Sequence, residues 1–220
     1  MSVLCLAVLG GLLAAPAFGS ALPSAELVAT FESTHSLAAA AHVDGGSAGP
    51  GTRAVLGAQG LSWGGDVALM SAGEREFLAG VASFFGAHVA YVSAFRALGA
   101  GAPTAHPAGR AVLALSSVLV PANAVLAGRR DPRFGVPVGV YGTVLAAMAA
   151  TAAVLPESPG RSRVRAGAAL FLLSDSLIGA QQFLRDQPHP ALESAVMATY
   201  TAGQWLISDG VQRSCDVTGP

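Results

Sequence analysis

Two acidic residues, Asp66 and Asp175, stand inside otherwise apolar runs, in GGDVALM and LFLLSDSLIGA. A carboxylate at the centre of a lipid-facing helix costs roughly 2.5–3.5 kcal/mol on insertion scales, so it belongs in a protein interior or a wet cavity, with function as its default reading. His88 and Tyr91 are three apart, and Tyr200 and Gln204 four apart. On helices these spacings place each pair on one face. Tyr141 adds a hydroxyl within a further apolar run. Two carboxyl groups surrounded by hydrogen-bonding side chains can divide acid–base work. One stays protonated in a desolvated site and donates a proton, while the other, ionised, stabilises positive charge and activates water. The same residue types also suit a proton relay in a transporter. A zinc site of His88 and both acids is a further reading, although no second histidine is well placed on the embedded helices. Taken singly, His88 fits a hydrogen-bonded core histidine, Phe77, Phe84, Phe85 and Phe95 fit packing, and the three tyrosines fit membrane-interface anchors. The residues define a buried polar pocket with two acids and leave its substrate open.

The elements that must position these residues are long apolar segments. The chain has 220 residues, 52% hydrophobic and 11% charged, with mean hydropathy +0.55. Soluble domains carry about 25% charged residues, so this is a membrane-protein composition. All twelve basic residues are Arg, and the net charge is −1. With no basic stripe, a nucleic-acid partner is not expected. Cys5 and Cys215 lie at opposite ends and form no metal or redox spacing.

Eight segments follow from hydropathy, length and turn residues: 2–22, 25–43, 51–70, 77–98, 110–127, 134–155, 166–183 and 191–207. The first also resembles a secretory signal, but no positive charge precedes its apolar run, which favours an uncleaved helix. A charged turn, Glu74-Arg75-Glu76, joins the third and fourth segments, and Pro121 and Asn123 are expected to kink the fifth near its end. The expected fold is all-α: a polytopic membrane bundle of about eight transmembrane helices around a buried polar pocket. Residues 1–208 form one integral membrane domain and 209–220 a loose polar tail. Eight spans put both termini on one side. That side would carry Arg53, Arg96, Arg110, Arg161, Arg163, Arg165 and Arg213, against Arg75, Arg129, Arg130, Arg133 and Arg185 opposite. The positive-inside rule then gives cytoplasmic termini. Abundant Ala, Gly and Arg without Lys point to a GC-rich genome and a bacterial plasma membrane.

Several stretches together carry a family resemblance: Gly65-Asp66 followed by Val-Ala-Leu-Met, then Gly80, Phe84, His88 and Tyr91 in order. The Tyr141-bearing helix, Gly167 to Ser176 with its Ser-Asp-Ser, and the closing Tyr200…Gln204 helix complete it. In these residues the chain resembles the YhhN family of small integral membrane proteins, whose characterised members are lysoplasmalogenases. One departure is Thr34-His35-Ser36, where family members often carry Lys-Pro on the second helix. The resemblance implies hydrolysis of the vinyl-ether bond of a lysoplasmalogen to a fatty aldehyde and a glycerophospho-base. It assigns catalysis to Asp66 and Asp175, and substrate binding to His88, Tyr91, Tyr141, Tyr200 and Gln204. No metal or cofactor is required. The expected partners are a lysophospholipid substrate and membrane lipid. A proton-coupled transporter and a catalytically silent relative are the alternatives.

Overall fold

The computed structural model describes residues 49–69, 73–184 and 190–215. Six helices follow in order: α1 Pro50–Leu69, α2 Glu74–Ala97, α3 Pro107–Arg130, α4 Gly135–Ala153, α5 Arg161–Leu184 and α6 Pro190–Cys215, with one 3-10 turn at Pro103–Ala105 before α3. Among the described residues there is no strand. The expected spans 2–22 and 25–43, and with them His35, lie outside the described residues. α2, α3 and α4 contain the stretches Arg75–Ala97, Pro107–Arg130 and Gly135–Ala153, each long and apolar enough to cross a membrane. These three helices mark the chain as a membrane protein.

Four boundaries differ from the sequence expectation, each for a local reason. Glu74 opens α2 rather than forming a turn with Arg75 and Glu76; acidic residues in a first helical turn complement the helix dipole. α3 starts three residues earlier than expected, because Pro107 occupies its first turn and His106 Nδ1 accepts from the Ala108 amide at 3.1 Å. It then runs unbroken through Pro121 to Arg130. α5 takes in the Arg161–Arg165 cluster as its first turn. The stretch expected as a loose tail from Ser208 is helical to Cys215, with Val211 only 1% exposed. Gly210 lets α6 press onto α5 there: a Cβ on Gly210 would lie 2.7 Å from Val164 Cγ2 and 2.8 Å from the Gly160 carbonyl oxygen.

The helices pair in sequence as α1–α2, α3–α4 and α5–α6, and α4 then packs against α2 and α5. Glycines allow the close approaches. A Cβ on Gly65 of α1 would sit 2.6 Å from the Phe84 ring of α2 and 3.2 Å from the Gly80 carbonyl oxygen. Between α5 and α6, a Cβ on Gly203 would meet the Gly167 carbonyl oxygen at 3.0 Å and the Phe171 amide at 3.2 Å. Such backbone-to-backbone contacts are the usual basis of helix association where water supplies no driving force. At the end of α2, Gly99 takes φ +87° and the Ala100 amide donates back to the Phe95 carbonyl at 3.0 Å. This left-handed closure is the Schellman stop, which suits glycine. Between α3 and α4, Asp131 pairs with Arg133 at 2.8 Å, and that hydrogen bond holds its carboxyl below the usual carboxylate range. Phe77 of α2 meets Phe134, at the start of α4, edge-on at 5.2 Å. The outer faces stay apolar, with Leu115, Val118 and Val136 all more than half exposed. That is the surface lipid covers.

Gly203→Ala is expected to destabilise the purified protein by about 1–3 kcal/mol, because backbone atoms meet the added methyl. Gly57→Ala, with nothing within 4 Å of the new Cβ, is expected to stabilise it by up to about 1 kcal/mol. Thermal unfolding in detergent reads both.

Candidate functional site

All seven expected site residues converge between α1, α2, α4, α5 and α6. They form two hydrogen-bonded groups. In the first, Tyr200 of α6 donates to Asp66 Oδ2 of α1 at 3.1 Å. Gln204, one turn further along α6, donates through Nε2 to the Tyr200 oxygen at 3.2 Å. Its Oε1 accepts from the Tyr91 hydroxyl of α2. In the second, Tyr141 of α4 donates to Asp175 Oδ2 of α5 at 2.6 Å. His88 Nε2 of α2 lies 3.0 Å from the Tyr141 oxygen and 4.0 Å from Asp175 Oδ2.

A phenol has one proton to give. With the Tyr141 proton directed to Asp175, His88 Nε2 must donate to Tyr141. If Asp175 carries a proton instead, the chain reverses and Tyr141 donates to His88. The direction of this hydrogen-bond chain therefore follows the proton on Asp175.

Phe171 of α5 sits between the two groups. Its ring centroid lies 4.9 Å from His88, 5.3 Å from Tyr200 and 6.4 Å from Tyr91, each approximately edge-on.

The two acids are not equivalent. A cavity of about 150 Å³, measured as the space open to water-sized spheres, is lined by Asp175, Tyr141 and Tyr200 but not by Asp66. Asp66 is fully buried, whereas the Asp175 side chain is 13% exposed. Tyr200, on the cavity wall, donates to the Asp66 carboxylate behind it. His88, Tyr91 and Gln204 also stand behind the cavity wall. Most of that wall is apolar, with Leu69, Phe77, Val81, Phe84, Leu145 and Ile178 contributing.

Four polar lining residues were not singled out for a site by the sequence reading: Ser116, Asn123, Ser174 and Ser176. Three of them hydrogen-bond backbone carbonyls, namely Asn123 to Leu119 at 2.9 Å, Ser176 to Leu172 at 2.7 Å and Ser174 to Val196 at 3.1 Å. The Ser-Asp-Ser triplet around Asp175 was the available signal for two of them. Among the described residues, no three His, Cys, Asp or Glu side chains gather as a metal site would require.

The YhhN family profile matches residues 27–211 of this chain, a span that holds all seven residues. The chain belongs to the YhhN family. No curated protein and no solved structure matches it. Within this YhhN chain, the stretches that carry the family likeness supply both hydrogen-bonded groups and the cavity between them.

The division into two groups has a measurable consequence. Tyr91→Phe and Gln204→Leu should couple by about 0.5–1.5 kcal/mol in a double-mutant cycle of unfolding in detergent. Tyr91→Phe and Tyr141→Phe, whose hydrogen bonds run to Gln204 and to Asp175, should add within about 0.5 kcal/mol.

Proposed function

We propose that this YhhN chain is a multi-pass hydrolase of the bacterial plasma membrane, with cytoplasmic termini, that cleaves the vinyl-ether bond of lysoplasmalogens. The observation that carries the reading is the placement of Asp175. It is a carboxyl group on the wall of an otherwise apolar cavity, backed by the hydrogen-bonded Tyr141 and His88. The apolar wall suits the single chain of a lysophospholipid, and the carboxyl meets the place where that chain joins its oxygen.

Vinyl-ether hydrolysis begins with protonation of the β-carbon, and Asp175 is the proton donor. The electron pair of the double bond forms the new C–H bond, leaving an oxocarbenium cation across the remaining carbon and the ether oxygen. Asp175, now a carboxylate, faces that cation, as the second carboxylate does in glycoside hydrolysis. The faces of nearby aromatic rings add favourable electrostatics. Water adds to the cationic carbon and its proton returns to Asp175. The resulting hemiacetal collapses to an aldehyde and an alcohol. One water is consumed, and the acid ends as it began.

Tyr141 orients Asp175 through its hydrogen bond, and His88 holds Tyr141 in place. Asp66 is a positioning residue. Its carboxylate accepts the Tyr200 hydrogen bond, fixing the phenol at the cavity wall and leaving the Tyr200 oxygen electron-rich towards the cation. Gln204 and Tyr91 lock that phenol from the other side. No cofactor enters the scheme.

The test is fatty-aldehyde release from a lysoplasmalogen by detergent-purified protein. Asp175→Asn should lose about 10³-fold in kcat, since it removes the proton donor. Asp66→Asn, which can still accept the Tyr200 hydrogen bond but carries no charge, should lose about 10–100-fold. A folded wild-type protein that releases no aldehyde, or an Asp175→Asn variant with full turnover, contradicts the assignment.

A further inference from the structure

The second polar feature of the bundle lies on the far side of Asp66 from the cavity. Gln59, Ser62 and Asp66 recur at spacings of three and four along α1, so they share one stripe of that helix. All three are buried, with Gln59 6% and Ser62 1% exposed. Ser62 Oγ and Gln59 Oε1 have no hydrogen-bond partner. Leaving a polar atom buried and unsatisfied costs about 1–3 kcal/mol. Two such atoms on one stripe, beside a carboxylate, are the setting in which proteins hold ordered water.

α6 supplies the facing wall. Tyr200 bonds Asp66, and Thr52 Oγ1 at the start of α1 lies 3.6 Å from Cys215 Sγ at the end of α6. The two helices are therefore antiparallel, with Ser62 level with Gln204 and Gln59 level with the buried Ser208. Tyr91 reaches the same layer from α2 through its bond to Gln204. The polar stripe spans about 10 Å along the axis, from Asp66 to Gln59.

We propose that α1 and α6 enclose a file of buried water running from Asp66 past Ser62 to Gln59, and that this file supplies the water consumed at the cavity. The supply role rests on the hydrolase reading; the file itself does not. With a lipid chain filling the apolar cavity, the side facing hydrocarbon delivers no water. The Asp66–Tyr200 pair joins the polar stripe to the cavity wall, so water passes to the reacting carbon there.

Radiolytic hydroxyl-radical labelling read by mass spectrometry tests this without any substrate, because radicals formed from ordered water oxidise the side chains beside it. Tyr91 and Met148 are both 0% exposed, and methionine is intrinsically the more reactive of the two. The file predicts rapid oxidation of Tyr91 and little of Met148. It also predicts loss of Tyr91 labelling in a folded Gln59→Leu/Ser62→Ala variant. Tyr91 labelled no faster than Met148 overturns the proposal, as does labelling unchanged in the double variant. In aldehyde release, the double variant should show a roughly tenfold lower kcat at unchanged KM, the size of a lost hydrogen bond to a charged or reacting group; an unchanged kcat overturns the supply role. Rapid Tyr91 labelling in a wild-type protein that releases no aldehyde upholds the file and refutes the hydrolase reading.

Discussion

A carboxyl group in a low-dielectric interior needs hydrogen-bond partners from its own protein, and the rest of this bundle is arranged around meeting that need twice. Asp175 receives the Tyr141 hydroxyl at 2.6 Å and Asp66 the Tyr200 hydroxyl at 3.1 Å. An isolated buried charge is far costlier than a paired and hydrogen-bonded one. Each donor stands on a different helix from its acceptor. The helices must therefore approach to within the reach of a phenol. Glycine contacts Gly65–Gly80 and Gly167–Gly203 seat α1 on α2 and α5 on α6, and the two phenols then tie α6 to α1 and α4 to α5 across those pairs.

That arrangement gives the two acids unequal surroundings. Asp175 meets an apolar cavity and a hydrogen-bond chain through Tyr141 to His88. Asp66 is sealed behind Tyr200 and continues into the polar stripe of Ser62 and Gln59. A hydrolase working on lipid must bring an apolar chain and a polar co-reactant to one carbon from separate directions. In the proposed reaction, Tyr200 stands between the lipid side and the water side.

The seven candidate residues that the structure brings together, and the all-helical class, were legible in the sequence because intramembrane polar groups are costly and therefore rare. A carboxylate, a histidine or a Tyr–Gln pair stands out against a run of Ala, Leu and Val. What escaped notice depends on neighbours from other helices. Ser174, Ser176 and Asn123 were not read as site residues, because small polar side chains bond backbone carbonyls nearby and only the cavity shows them as lining. Ser208 to Cys215 looked like a tail because its polar residues outweigh its apolar ones. The close seat of Gly210 on α5 makes it helix, and that is a property of the pair of helices. The inequality of Asp66 and Asp175 had no local signal, since both sit in similar apolar stretches and only the position of Tyr200 separates them.

Covalent labelling with an apolar carbodiimide, located by mass spectrometry, tests that inequality most directly. Such a reagent partitions into hydrocarbon and modifies protonated carboxyl groups open to it. The account predicts an adduct on Asp175, prevented by a bound single-chain ether lipid, while Asp66 stays unmodified behind Tyr200. An adduct that forms first on Asp66, or one on Asp175 that lipid does not suppress, would contradict it.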